Sequence, residues 1–577
     1  MYVTNHRGWV ARFITTTQYR LCMPREHNTT LGITRRQALA SGMAVSSSLL
    51  LAGCTGGNGG DDGGSGDDGS SGDDGGSGGD GGSDLPNQDL YFAQVKGPLD
   101  MDPVVINDVP SLQIANQMFD GIYEYDEGVG IVPKIASEAP TVEREGTRFI
   151  VPVRDDAMFH NGDPVTAEDV MHTVLAPAEE QTENAAEVNM VESAEVIDES
   201  AVQFDLSYPY GAFEVALVRN VVNQSVRTED TEAYNTDPVG SGPYQLAEWE
   251  PESSATMERW DDYWDDSNGL PNVATIQFDP IEEQTTRVTE LETGNVDIIE
   301  TIPPQLYETV RSNESATIDE EPGVGYFYLA FNCGDGPTTD PLVREAVDYC
   351  FSMDQAIENF VAPAGVRQVS PYPQTMAEEW EFPLDEWGDI SHDRDLDEAA
   401  ALFDEAGVSM DYEWRIIVPP DDMREQIGIS IGDGLQNAGF ENVEVQRLDW
   451  GTFLDAYVTE DADRYNMYTL GWSGSPDPDA FAYQLLSQEV EGTTNGTFHE
   501  YDEASEMLTQ ARESADREER RQLYIDATTE LLEGRVHIPA YNLNNSYGIH
   551  ERVSDFSAHT ISTEVQIFTG HNNVSVE

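Results

Sequence analysis

Phe159-His160-Asn161-Gly162-Asp163-Pro164-Val165-Thr166-Ala167-Glu168-Asp169-Val170 holds a turn and a helix start within twelve residues. Asn161-Gly162-Asp163 is tight-turn chemistry, in which glycine supplies backbone angles closed to other side chains. Thr166 is placed to cap a helix, with Glu168 and Asp169 in the first turn, where the macrodipole favours carboxylates. Upstream, Phe149-Ile150-Val151-Pro152-Val153 reads as a strand whose proline marks an edge or an end. The same alternation extends in both directions. Residues 109–120 set Leu112, Ala115, Met118 and Phe119 on one helical face before Gly121. Strands are expected at 274–278 and 326–331, with a helix at 284–291 that stops at Gly294. A long helical region at 503–532 breaks around Ala515-Asp516, and the chain leaves it through Ile538-Pro539-Ala540-Tyr541 as a strand. Short strands alternating with helices predict an α/β architecture. No solenoid repeat is present.

Further stretches share an order with this one. Ile131-Val132-Pro133-Lys134-Ile135-Ala136 precedes it; Asp237-Pro238-Val239-Gly240-Ser241-Gly242-Pro243-Tyr244 follows, then Arg259 with Tyr263-Trp264. Leu291-Glu292-Thr293-Gly294-Asn295-Val296-Asp297, Phe331-Asn332 with Val343-Arg344-Glu345-Ala346-Val347, and Leu470-Gly471-Trp472 with Asp477-Pro478-Asp479 complete the series. Together they resemble the extracytoplasmic solute-binding proteins of ABC importers, peptide/nickel class (bacterial extracellular solute-binding family 5), over nearly the whole of 85–553. The resemblance implies a two-lobed periplasmic-binding-protein-like fold with hinge strands, closing on a ligand. It implies a first lobe of 85–331 plus 541–577, with an extra subdomain at about 128–236, and a second lobe of 332–540. Crossings are expected near 329–333 and 538–542.

A binding cleft needs area and a few polar anchors. The family places the loop Trp472-Ser473-Gly474-Ser475 and Asp477 at the cleft, where Trp472 either lines the site or packs in the core. In the family's peptide binders an acid soon after the tryptophan captures the ligand's ammonium. Here Ser473-Gly474-Ser475 fill that neighbourhood and Asp477 lies farther on, so a turn role for Asp477 would free the ligand of that requirement. Asn107 and Asp108 precede the first helix, as ligand contacts or as its cap. Tyr326 and Tyr328 alternate on one strand face, toward the cleft or toward core. Arg344, Arg367 and Arg415 are candidate carboxylate clamps, Arg367 first among them.

Chemistry of other kinds is missing from the sequence. It contains no G-x-x-x-x-G-K-[ST], no HExxH and no CxxC, and no G-x-S-x-G outside the low-complexity Gly/Asp stretch 55–84, so neither an enzyme nor a cofactor is expected. His160 is expected to be packed and structural, and His499 to lie at the surface. Cys333 and Cys350 are read as two separate buried thiols or as one disulfide. Asn313 and Asn495 head N-x-[ST] triplets.

The chain has 577 residues, 109 Asp+Glu against 29 Lys+Arg and a formal charge of −80, with Lys96 and Lys134 its only lysines. This polyanion excludes nucleic acid as a partner. Its composition resembles that of salt-loving archaea, where a Debye length of about 3 Å at molar salt screens self-repulsion. Thr34-Arg35-Arg36-Gln37-Ala38-Leu39 looks like a twin-arginine export motif, followed by an apolar run at 40–52 too short to span a bilayer. Leu51-Ala52-Gly53-Cys54 resembles a lipobox, which would make 1–53 a signal and Cys54 the lipid anchor. Met23 is an alternative start. Residues 55–84, with fifteen Gly and eight Asp, read as a tether. The expectation is a monomeric lipoprotein at the outer face of the membrane, presenting a peptide-like or other small solute to ABC permease subunits. A sensory role without transport is the alternative.

Overall fold

The computed structural model describes residues 88–577 apart from 199, 266, 268, 566 and 571. Arg35, Arg36, Cys54 and the tether lie outside the described residues. Twelve strands form one mixed sheet. They are β1 (Gln88–Gln94), β2 (Tyr244–Glu250), β3 (Ser254–Arg259), β4 (Val273–Pro280), β5 (Ile298–Glu300), β6 (Ala316–Pro322), β7 (Gly325–Phe331), β8 (Gly365–Arg367), β9 (Trp414–Val418), β10 (Val443–Arg447), β11 (Met467–Ser473) and β12 (His537–His550). The order is β10-β9-β11-β7-β12-β5-β1-β4-β3-β2, with β6 and β8 also pairing on β12.

β12 joins the two halves of this sheet. Its first residues pair with β7 (Tyr328↔Pro539, Leu329↔Ile538), its middle with β8 (Val366↔Asn542), and its last with β6 and β5 (Ile318↔Gly548, Ile299↔Gly548). Where it passes from one half to the other, Asn545 amide hydrogens reach the His559 and Thr560 carbonyls at 3.0 and 2.8 Å, and Asn542 donates to the Gly323 carbonyl. Gly323 lies between β6 and β7, so the two passages of the chain run side by side and are tied by this amide.

Each half has its own core. Leu90, Phe92, Ile276 and Phe278 of β1 and β4 pack with Ile114 and Met118 of the helix α1 (Val109–Met118). In the other half Leu329, Ile416, Met467 and Leu470 pack with Ile427 and Ile431 of a later helix, Asp422–Asn437. That helix is the crossover between the parallel strands β9 and β10, as parallel pairing requires. It lies close on the sheet because Gly428 faces it: a Cβ there would come within 2.6 Å of Val418 Cγ1.

A third core belongs to a separate four-stranded antiparallel sheet, in the order Thr141–Glu143, Arg148–Pro152, Ala201–Leu206, Val191–Asp198. Phe149, Val151, Val202 and Phe204 pack against α2 (Ala167–Glu180). Thr166 caps α2 as expected, and Asp169 returns the bond to the Thr166 backbone, a capping box. Pro152 ends its strand, but that strand is interior. Lys134 sits where this body meets the first: its ammonium is 3.0 Å from Asp265 and 3.5 Å from Asp120, which also accepts from Tyr263 and Trp264. Burial works against that ammonium, yet Asp120 and Glu124 hold its pKa well above the lysine range.

Several smaller expectations meet the structure here. Cys333 and Cys350 are separate buried thiols. His160 is packed, bonding the Gly242 carbonyl at 3.0 Å, and burial lowers it to about 4. His499 is buried rather than at the surface, its ring bonded to the Leu486 carbonyl at 2.6 Å. Asn495 is 0% exposed and bonds the Ser487 carbonyl, so the folded chain offers no glycan acceptor there. No helix among the described residues is long and apolar enough to cross a membrane.

Candidate functional site

The loop after β11 and the residues facing it are built from strand register. β11 runs antiparallel to β7, setting Trp472 opposite Tyr326, Gly471 opposite Phe327 and Ser473 opposite Gly325. Directly opposed residues share a face. Gly471 is required on its face: a Cβ would sit 2.3 Å from the Phe327 ring. That ring lies parallel to Tyr541 at 4.5 Å, with the Arg424 guanidinium 5.6 Å from its centre. On the other face Trp472 is half-buried against the second core, and its indole N–H donates to the Ala480 carbonyl at 2.8 Å, closing the loop on itself. Between these anchors Ser473 and Gly474 are half-buried and Ser475 is exposed. Neither serine hydroxyl has a protein partner among the described residues. The loop thus presents a large ring edge beside free polar groups, which suits it to ligand contact.

Asp477, two residues on, is differently placed. It is 4% exposed, accepts from the Asp479 N–H at 2.9 Å and pairs with Arg520 at 2.5 Å. It caps the turn Pro478–Ala480 and its charge is matched internally, so it is a turn residue in an ion pair and not a free carboxylate awaiting an ammonium. Tyr326 and Tyr328 share a face as alternation demands, but it is the core face. They are 0% and 2% exposed, stack at 4.7 Å, and Tyr328 stacks on His537 at 4.2 Å. Arg367, expected as an anion clamp, gives its donors to Asp354 at 2.8 Å and to the Pro539 carbonyl of β12 at 2.8 Å. It braces the passage between the halves. Arg344 likewise donates to the Gly534 and Thr338 carbonyls, and Arg415 pairs with Glu413.

Asp108 caps α1 through the Ser111 N–H at 2.9 Å, and Asn107 donates to Glu183. The second Asp108 oxygen is buried without a protein partner among the described residues, and burial raises its carboxyl. Sequence reasoning overlooked Glu124, Tyr125 and Glu564, because in a chain with 109 acids a single carboxylate gives no signal. All three keep part of their surface accessible while protein surrounds them. Asn220 donates to Asn116 at 2.8 Å, and Asn116 donates to Glu564 at 2.8 Å, forming a polar wall. Burial and then Glu124 push Glu564 up to about 8. Burial lifts Glu124 to about 7 against the pull of Lys134. Burial raises Tyr125 as well, followed by Glu564, Glu187 and Asp477, which places its hydroxyl in the field of acids from both halves. Among the described residues no three His, Cys, Asp or Glu side chains are grouped to hold a metal ion.

Comparison with known proteins identifies the family and the fold. The family model for bacterial extracellular solute-binding proteins, family 5 Middle, matches residues 130–493. The oligopeptide-binding protein AppA of Bacillus subtilis is 22% identical over 495 residues, covering 82% of this chain and 89% of AppA. The structure of HbpA2 from Haemophilus parasuis superposes with a TM-score of 0.74 at 18% identity, covering 85% of this chain and all of HbpA2. That of the periplasmic binding protein DppA from Helicobacter pylori, in complex with the peptide STSA, gives 0.64 at 20% identity over 85% of this chain and 99% of DppA. The chain belongs to the bacterial extracellular solute-binding proteins, family 5, and is a two-lobed solute binder rather than an enzyme.

Proposed function

We propose that this chain is the capture component of an ABC importer for a peptide-like or other small solute, held outside the cell by lipid on Cys54. The observation carrying the reading is the loop 471–475, whose serine hydroxyls have no protein partner among the described residues beside Trp472, with Tyr125 of the Glu124–Glu564 wall feeling the charge of nearby Asp477. The relatives AppA and DppA support the choice of peptide, being an oligopeptide-binding protein and a protein in complex with a peptide. The first lobe runs to β6 and resumes after Asn544, and the second runs from β7 to Leu543, a division supported by the change of pairing partners along β12. The ligand contacts are Trp472, Ser473, Gly474 and Ser475, together with the free oxygen of Asp108.

Calorimetric titration of the purified full chain with a panel of di- to nonapeptides tests this. At least one peptide is expected to bind, and Trp472→Ala should weaken it at least about tenfold, the loss of one large ring from a desolvated contact. No binding by any peptide, or undiminished affinity in Trp472→Ala, contradicts the assignment. Cys54→Ser should release the protein from membranes.

A further inference from the structure

Besides Val129, which packs in the second core, the body with the four-stranded sheet meets that half through a cluster of polar groups. Gly211 donates its N–H to the Arg512 carbonyl at 3.0 Å and accepts from Arg520 Nη1 at 3.1 Å. Its neighbour Tyr210 reaches Asp479 with its hydroxyl at 3.4 Å, and the Arg512 guanidinium lies 5.2 Å from the Tyr210 ring centre. Arg512 and Arg520 flank the break between the helices α3 (Asp502–Glu513) and α4 (Arg517–Glu533), and they pair with Asp479 at 3.3 Å and Asp477 at 2.5 Å.

Shape accompanies charge. The corner 514–515 between these helices meets two glycines of the opposite body. A Cβ on Gly211 would fall 2.1 Å from the Ser514 carbonyl oxygen and 2.7 Å from Arg520 Nε, and one on Gly146 would fall 2.9 Å from Ala515 Cβ. Gly211 does not have the positive φ that would favour glycine for its own sake, so the reason for glycine there is the approach of the other body. Asp477 and Asp479 are buried whereas the Gly211 loop is half-buried. The two arginines therefore serve twice: they neutralise two buried acids within their own body and hold a carbonyl and a ring of the other.

We propose that Tyr210-Gly211 and the 512–520 corner form a clasp between the lobes, which gives closure a stabilising contribution that owes nothing to the solute. The clasp goes beyond the transport reading and rests on it only in taking the two bodies as lobes that move apart. A ligand binds a protein in proportion to the fraction already in the competent state. The clasp raises that fraction for every solute alike, so it sets affinity without setting specificity.

The test is the distance between spin labels at two exposed positions, Ile197→Cys on the four-stranded sheet and Met410→Cys on the other body, with Cys22 and Cys54 replaced by serine and Cys333 and Cys350 buried. It is read on the full chain with no solute added. In the Gly211→Ala background the population at the parent's distance should fall at least about tenfold and a longer one appear. Tyr210→Ala, which adds no atoms, should shift it in the same direction by less. Melting curves superposable on the parent's establish that both bodies remain folded. A distance distribution in Gly211→Ala identical to the parent's overturns the clasp. Because no solute enters the measurement, failure of the clasp leaves the peptide titration untouched, and an empty titration leaves the clasp standing.

Discussion

Two acidic places in this protein are treated in opposite ways. At the second core, Asp477 and Asp479 are each matched by an arginine, Arg520 and Arg512. In the other place, Glu564 has Asn116 as its hydrogen-bond donor and Glu124 as its charged neighbour. A buried charge without a counter-charge shifts its pKa instead of ionising. Even the matched side feels this, since burial lifts Asp479 to about 6 against Arg512. The difference separates structure from opportunity: the paired acids are committed to internal arginines, while the unpaired ones retain capacity for something that comes from outside.

Removing a cation from the matched side should have the largest effect. Arg520→Met leaves Asp477 buried without its partner, and a loss of about 3–5 kcal/mol is expected in urea denaturation. A loss below 1 kcal/mol would mean that water reaches Asp477 and that the two places are alike. The companion double variant Asp477→Leu/Arg520→Met should recover most of that loss, because replacing both members of a buried pair with apolar groups is often near neutral. If the double variant is no better than Arg520→Met, the arginine acts through packing on Trp380, whose ring centre lies 5.0 Å from it, and not through charge.

The unmatched side should show itself through pH. The folded-state pKa of Glu564, about 8, lies above its ordinary 4.5, so the folded chain binds more protons in that window. Stability from this group is full below 4.5 and is lost as pH rises toward 8. Glu564→Gln should flatten the decline measured by denaturation between pH 6 and 8, and an unaltered slope would show that the carboxylate is already ionised. The smallest effect belongs to the cap of α2: Thr166→Ala removes it and should cost about 1 kcal/mol in urea denaturation.

Local chemistry accounts for what the sequence made legible. The Asn161-Gly162-Asp163 turn, the Thr166 cap, the strand at β7 and the break at 515–516 depend on neighbours a few residues away, and all are in place. Partnerships at long range were not legible. Asp477 and Arg520 are 43 residues apart, and nothing near either names the other. The alternation of Tyr326 and Tyr328 set them on one face without saying which face was core. β12 extends over fourteen residues where only 538–541 read as strand, because Asn542, Asn544 and Asn545 are poor strand formers. They are tolerated there because their amides are used at long range, Asn542 on the Gly323 carbonyl, Asn544 on Glu320 and Asn545 on the His559 and Thr560 carbonyls.

The central claim is that the two halves swing about those passages and enclose a solute. Spin labels at Ile197→Cys and Met410→Cys, on protein stripped of small molecules and then supplied with the small-molecule extract of its own cells, measure it most directly. The account predicts a shorter distance whose population grows with added extract and reverses on dialysis. A distance distribution that stays fixed while calorimetry records saturable binding from the same extract would contradict it.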